Sequence, residues 1–270
     1  MNSEPTDLEI ITHWFADHQM SDGTIKVKTY VLNDNKHTYL EDFFVRAIPN
    51  CYITTNFLKD RVSKTGLSAS EILKNKLPDT PNIMAGDFGE ILTLFYLSGE
   101  RSESVKKIKK WRFKEDRNKA APHSDVVILY KKYDNQASKS DFVICAEAKL
   151  KSTKSSFCPI KESTVGYDKD KTGRLARTLV WLKEKEIDHG DLKSIAYIKR
   201  FTDDLLKTEF KKKYRAVTII DRNFLDEELQ KTLELPIQSD EFEVIVIGIT
   251  DLKQLYERSF SRAISEVTYD

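Results

Sequence analysis

Two apolar segments, Asp125–Tyr130 (DVVILY) and Asp141–Leu150 (DFVICAEAKL), decide the fold, and the ten residues between them are polar. Both segments are rich in the β-branched and aromatic residues that favour strands, so we predict a β-hairpin. A hairpin that is symmetric about Gln136 places Asp125 opposite Glu147, with Cβ atoms about 5 Å apart. Two acids are therefore expected to face each other.

The alternation of side chains along the second strand adds a lysine to this pair of acids. Glu147 and Lys149 share one face about 6.5 Å apart, while Ala146, Ala148 and Leu150 point to the other face. Two close carboxylates repel unless a cation compensates them, and oxygen ligands favour Mg2+ over zinc. The pattern predicts a divalent metal site, with Lys149 acting either on the attacking water or on the charge of a phosphate.

A simpler interpretation fits the same spacing. On an exposed sheet face, Lys149 could form a salt bridge that merely neutralises Glu147. Most charged residues on strands have this role, and spacing alone favours neither interpretation.

The wider sequence resembles the PD-(D/E)xK nuclease superfamily. The order of the three parts is a hydrophobic helix at Gly86–Leu97 that carries Glu90, then Asp125, then Glu147-Ala148-Lys149. The motif is short, so its agreement with the expected helix, strand and strand matters more than the letters. Pro122 departs from the pattern, since it is not adjacent to Asp125.

This resemblance implies an α/β fold of the restriction-endonuclease type, with a central mixed sheet flanked by helices. It also implies that Asp125, Glu147 and the backbone carbonyl of Ala148 hold Mg2+, for which Mn2+ can substitute. Lys149 would then act on the nucleophile and Glu90 would be an outer ligand.

Within the superfamily, the sequence is similar to the HamA family of the Hachiman anti-phage defence system. The similarity lies in the overall length and in three segments: Gly86–Glu90, His123–Asp125 and Ala146–Lys151. It implies a deoxyribonuclease effector that is restrained by a HamB-like helicase partner until phage-associated DNA is sensed. The alternative is a non-catalytic scaffold with a degenerate nuclease fold that binds nucleic acid or a helicase.

Two of the candidate site residues also have structural interpretations. Asp87 and Glu90, three residues apart before an apolar run, fit a capping box at a helix start. His123 is expected on the same strand face as Asp125, but a single histidine is more often a hydrogen-bonded structural residue than a general base.

Length and composition set the outer limits. The chain has 270 residues, 40% of them hydrophobic, which indicates a globular protein with a substantial core. Its start lacks a basic and apolar leader and its apolar runs are too short to span a bilayer, so we expect a cytosolic protein. Three cysteines without a Cys-x-x-Cys motif favour neither a disulfide scaffold nor a zinc ribbon.

The net charge is only +1, but basic residues cluster locally. The segment Lys106–Lys114 mixes bases with aromatics just before the Asp125 strand, which suits contact with phosphates, although such runs are usually solvated faces. The residues predicted to contact nucleic acid are Lys109, Lys110, Arg112, Lys114 and Lys151. Further basic candidates are Lys154, Arg174, Arg177, Lys199, Arg200 and the run Lys211–Lys213.

The turn-forming residues Asp79–Asn82 predict a boundary between an N-terminal α+β accessory region, residues 1–82, and a nuclease core, residues 83–270. Periodicity predicts a site at one edge of the sheet and further elements on either side of the hairpin. The expected strands are Leu8–Phe15, Thr24–Leu32, Arg215–Ile220 and Phe242–Ile249. The expected helices are Tyr39–Ala47, Ser68–Leu77, Gly173–Lys185 and Leu252–Ile264.

Overall fold

The fold is known from a computed structural model, which describes residues 10–18, 27–99, 104–202, 210–231 and 238–269. Within these ranges, seven strands form one sheet. The strands are β1 (Phe15–Asp17), β2 (Lys28–Leu32), β3 (Val105–Lys107), β4 (Val126–Tyr130), β5 (Phe142–Lys151), β6 (Lys211–Asp221) and β7 (Phe242–Ile249).

Helices cover both faces of this sheet. They are α1 (His37–Tyr52), α2 (Thr55–Thr65), α3 (Ala69–Lys74), α4 (Pro81–Ser98), α5 (Pro159–Lys169), α6 (Leu175–His189), α7 (Leu192–Thr202), α8 (Arg222–Gln230) and α9 (Leu252–Glu266). A wide turn at Asp170–Arg174 joins α5 to α6. No helix in the ranges given above combines the length and apolar character needed to cross a membrane.

The order across the sheet is β1-β2-β7-β6-β5-β4-β3. The central strands β2, β7, β6 and β5 run parallel, and the outer pairs are antiparallel. The predicted mixed α/β sheet is therefore confirmed. The hairpin register is confirmed as well, since Val126 lies opposite Ala146 and Tyr130 opposite Phe142.

Alternation along β5 divides the core into two parts. Ala146 packs with residues of α1, α4 and α9, such as Phe88 and Phe260. Cys145 faces the other way and packs with residues of α5 to α8, such as Leu179. The sheet is thus the middle of three layers, and β4 lies between β5 and the edge strand β3.

The predicted helices agree with the structure, with small shifts at their ends. The Ser68 capping box is present at the start of α3, where the hydroxyl accepts from the N–H of Glu71. The strand predicted at Leu8–Phe15 is wrong within the described residues, because Ile11–Trp14 forms a 3₁₀ helix and β1 begins at Phe15. The second predicted strand is present as β2, and its positions 24–26 lie outside the described residues.

The division into residues 1–82 and 83–270 stays a prediction. In the structure the two segments share one sheet, since β2 pairs with β7. They also share one core, because α1 packs along α9.

Candidate active site

The predicted acids and lysine meet where β4 begins. The Lys149 ammonium lies 2.5 Å from Oε1 of Glu147 and 3.8 Å from Oδ2 of Asp125. The same Asp125 oxygen accepts a 3.0 Å hydrogen bond from the N–H of Ala148. Since the N–H and C=O of a strand residue lie on the same side of the strand, the Ala148 carbonyl also faces Asp125. The structure thus brings together Asp125, Glu147 and Lys149, as the hairpin register predicts, with the backbone of Ala148, which the resemblance implies.

Glu90 joins this group through a second ammonium. Lys110 Nζ lies 3.4 Å from Glu90 Oε2 and 3.9 Å from Asp125 Oδ1. Trp111 fixes the Glu90 carboxylate by donating to Oε2 at 2.9 Å, and Lys110 donates to the Ser124 carbonyl at 3.0 Å. Three acids and two lysines therefore form one charged centre.

The capping-box interpretation of Asp87 and Glu90 is wrong. Helix α4 begins at Pro81, with Thr80 as its N-cap, so both acids lie inside the helix. Asp87 is buried and accepts hydrogen bonds from the Tyr52 hydroxyl and, at 2.7 Å, from Lys114. Glu90 has no role at the helix start, and its contacts are with the charged centre.

The site is not an exposed sheet face. The side chains of Glu147 and Asp125 are only 8% and 16% exposed. Burying a carboxylate is unfavourable unless cations and hydrogen bonds compensate it. An isolated surface salt bridge, which contributes little, does not explain this burial.

The charged centre raises the pKa of two of its members, for different reasons. Burial, together with the charges of Asp125 and Asp87, raises the pKa of Glu90 well above its usual range, although Lys110 opposes the shift. Burial acts to lower the pKa of Lys149, but Asp125 and Glu147 outweigh it and raise that pKa. Lys149 is therefore a stable ammonium among the carboxylates.

The donor set fits a hard divalent cation. Among the described residues, no three His, Cys, Asp or Glu side chains form a ready-made metal cage. The lysine ammonium groups lie between the acids instead. Two carboxylates and a carbonyl make an all-oxygen set, which suits Mg2+, and Lys149 Nζ marks a position near both carboxylates where positive charge is already stabilised.

One residue that the hairpin pattern does not predict contacts Glu147 directly. Arg174, which the sequence indicates only as a general basic candidate, donates from Nη2 to Glu147 Oε2 at 2.5 Å. It is the last residue of the wide turn after α5 and lies 27 positions from Glu147 in the chain. Only the packing of α5 and α6 against β5 reveals this contact.

His123 does not lie on the strand face that alternation predicts. Its backbone has a φ of 73°, and it precedes β4 in a loop. Its ring packs against Trp181, with centroids 5.2 Å apart. The prediction fails because the positive φ interrupts the strand period before Asp125.

The five predicted nucleic-acid contacts fall into two groups. Lys110, Lys114 and Lys151 are paired with carboxylates inside the protein. A phosphate would have to displace those carboxylates to reach them. Lys109 and Arg112 instead line an open cleft of about 620 Å³, whose other cations are Arg61, Lys76, Lys106 and Lys107. Three acids also line it: Glu186, Asp188 and Asp191.

Lys151 yields a test of its role. Its ammonium pairs with Glu228 at 2.8 Å, and both side chains are almost fully buried. We expect Lys151→Ala to lower the free energy of unfolding by about 3 kcal/mol, because buried Glu228 then keeps only Lys231 as an ion-pair partner and the carbonyls of Ser155 and Phe157 lose their donor. Urea denaturation measures this, with exposed Lys154→Ala as the control. Unchanged stability combined with weaker DNA binding would instead support the phosphate role.

A comparison with protein-family models identifies a family for the chain. A family model described as HamA matches residues 9–263 of the chain. No curated protein matches the sequence. The matched region contains the whole charged centre.

Proposed function

Because the chain belongs to the HamA family, we propose that it is a metal-dependent nuclease, the effector of an anti-phage defence system. The family implies the defence role. One observation carries the nuclease assignment: Asp125, Glu147 and Lys149 converge at the start of the β4–β5 hairpin. This acid, acid and lysine arrangement resembles that of the PD-(D/E)xK nucleases. We infer DNA as the substrate from the same resemblance.

Each residue of the centre has a role in this proposal. The carboxylates of Asp125 and Glu147 and the carbonyl of Ala148 would hold Mg2+, with Mn2+ as a substitute. Such an ion activates water and offsets charge on a phosphate when it is bound. Lys149 faces the same space and stabilises the charge that develops on the phosphate.

Glu90 lies beside Asp125 and would not bind the ion directly. Trp111 and Lys110 hold its carboxylate close to Asp125, and its burial keeps it away from bulk solvent. It is suited to support the water shell of the ion as an outer ligand. The indole and the ammonium set its orientation.

We propose that the cleft near the site contributes to nucleic-acid binding. Lys110 and Trp111 contact Glu90, whereas the next residue, Arg112, lines the cleft. The segment Lys110–Arg112 thus connects the charged centre to the cleft along the chain. Its other cations, including Arg61 and Lys76, would supply salt-dependent attraction for a phosphate backbone.

A HamB-like helicase is the proposed partner, on the basis of family membership. A nuclease of low specificity would damage host DNA, so the partner is proposed to restrain cleavage. Adding the helicase to the purified chain should lower cleavage of DNA until a stimulating DNA is supplied. An isolated chain that cleaves freely and is unaffected by the helicase would contradict this regulation.

The nuclease assignment has a direct test. Purified protein is incubated with plasmid and with single-stranded DNA in Mg2+, Mn2+ or EDTA. We expect cleavage with either metal and none in EDTA, since the acids cannot act without a cation. Cleavage in EDTA would overturn the site, and DNA binding without cleavage under every condition would identify a non-catalytic scaffold.

A further inference from the structure

The Glu147 carboxylate is held at both of its oxygens. Oε1 accepts from Lys149 at 2.5 Å, and Oε2 accepts from Nη2 of Arg174 at 2.5 Å. Lys149 also approaches Asp125, whereas Arg174 approaches from the side of α5 and α6. The two oxygens of one acid therefore have different partners on different sides.

Arg174 is anchored independently of Glu147. Its Nε and Nη2 donate to the two oxygens of Asp170 at 2.7 and 2.9 Å, and Nη2 also donates to the Gly166 carbonyl at 2.9 Å. The Asp170 side chain is 1% exposed. A two-point contact of this kind fixes the plane of the guanidinium as well as its charge.

The hydrogen bonds that anchor Arg174 at Asp170 extend to the residue before Asp125. The Ser124 hydroxyl donates to Asp170 Oδ1 at 2.6 Å, and the Ser124 N–H donates to the Thr178 hydroxyl at 3.2 Å. Ser124 precedes Asp125 in the chain. One buried network therefore runs from the Glu147 carboxylate to the backbone that carries Asp125.

Two glycines make the arrangement sterically feasible. A Cβ at Gly166 would lie 2.2 Å from Cδ of Glu147, so only glycine lets α5 pass over the carboxylate. Glycine inside a helix is unfavourable relative to alanine, and this close approach accounts for it. Gly173 has a φ of 123° within the wide turn between Asp170 and Arg174, a conformation that favours glycine.

We propose that Arg174, clamped by Asp170, is a positioning residue that holds Oε2 of Glu147 so that Oε1 is presented toward Asp125 for a divalent cation. The inference rests on the proposed function and adds a residue outside the hairpin to it. Hydrogen-bond partners that orient a metal-binding carboxylate typically contribute about 10- to 100-fold to metal affinity. A purely structural ion pair would contribute to stability without this effect on binding.

The test measures the affinity of the protein for Mn2+. Electron paramagnetic resonance reports the concentration of free Mn2+, and calorimetry measures binding independently. Arg174→Gln should weaken Mn2+ binding by about 10- to 100-fold. Arg174→Lys keeps the charge but cannot contact both Asp170 oxygens, so its affinity should lie between those of Arg174→Gln and the wild type. Arg222→Gln, which removes a surface arginine paired with Asp34, should bind as the wild type does.

The outcomes separate the two proposals. Wild-type protein that binds no Mn2+ would defeat the proposed metal site itself. If the wild type binds Mn2+ and the folded variants Arg174→Gln and Arg174→Lys bind it with the same affinity as the wild type, only the positioning role is overturned. Circular dichroism and urea denaturation establish that each variant is folded, and Arg174→Lys alone decides the matter if Arg174→Gln does not fold.

Discussion

Glu147→Gln is expected to reduce metal-dependent DNA cleavage by at least about 100-fold, the size of effect seen when one group that stabilises charge in a transition state is removed. The substitution keeps the shape of the side chain and its ability to accept a hydrogen bond from Arg174. It removes the negative charge that would bind a divalent cation opposite Asp125. Turnover of plasmid in Mg2+, measured at equal protein concentration, gives the effect.

A matched variant separates the site from general loss of charge. Glu162→Gln changes an exposed acid in the first turn of α5 and should leave cleavage unchanged. Urea denaturation should show that Glu147→Gln remains folded. Cleavage by Glu147→Gln at the wild-type rate would mean that the reaction occurs elsewhere.

Lys110→Met is expected to lower the free energy of unfolding by about 3–5 kcal/mol in the absence of metal, because breaking a buried ion pair leaves an uncompensated charge. The Lys110 side chain is 4% exposed, and its ammonium lies 3.4 Å from Glu90 and 3.9 Å from Asp125. Methionine fills much of the same volume, so lost packing is a minor part of the effect. Urea denaturation in EDTA measures the loss.

Mg2+ should restore part of this stability, since a divalent cation supplies positive charge to the same acids. Lys161→Met, at an exposed position of α5, is the control and should show neither the loss nor the recovery. A Lys110→Met variant that is destabilised equally with and without Mg2+ would contradict the claim that the metal binds close enough to Asp125 to replace the charge of Lys110. Retention of full stability would show that Lys110 does not compensate the acids.

The sequence predicts the hairpin well for a physical reason. Its two strands are apolar and carry β-branched residues, and the polar loop is centred on Gln136, so alternation and symmetry together fix the register. The positions of Asp125, Glu147 and Lys149 follow from that register. The strands Arg215–Ile220 and Phe242–Ile249 are equally clear, because each is a largely apolar run that is buried on both faces.

The rest of the site depends on packing between distant segments. Lys110 lies in a basic run that fits a solvated surface, yet its position beside α4 places its ammonium between two acids. Arg174 reaches Glu147 only because α5 crosses the sheet at Gly166. Local pattern also suggests a helix start at Asp87, whereas Pro81 starts α4 earlier and turns Asp87 inward. Such contacts have no local period that a sequence can show.

The central claim is that Asp125 and Glu147 hold one divalent cation between them. Anomalous diffraction from crystals of this protein grown with Mn2+ tests it most directly. We predict a single strong peak about 2.0–2.6 Å from a carboxylate oxygen of each acid, with Lys149 moved aside from its place between them. No peak at this position, with both carboxylates still bound to Lys149 at saturating Mn2+, would contradict the account.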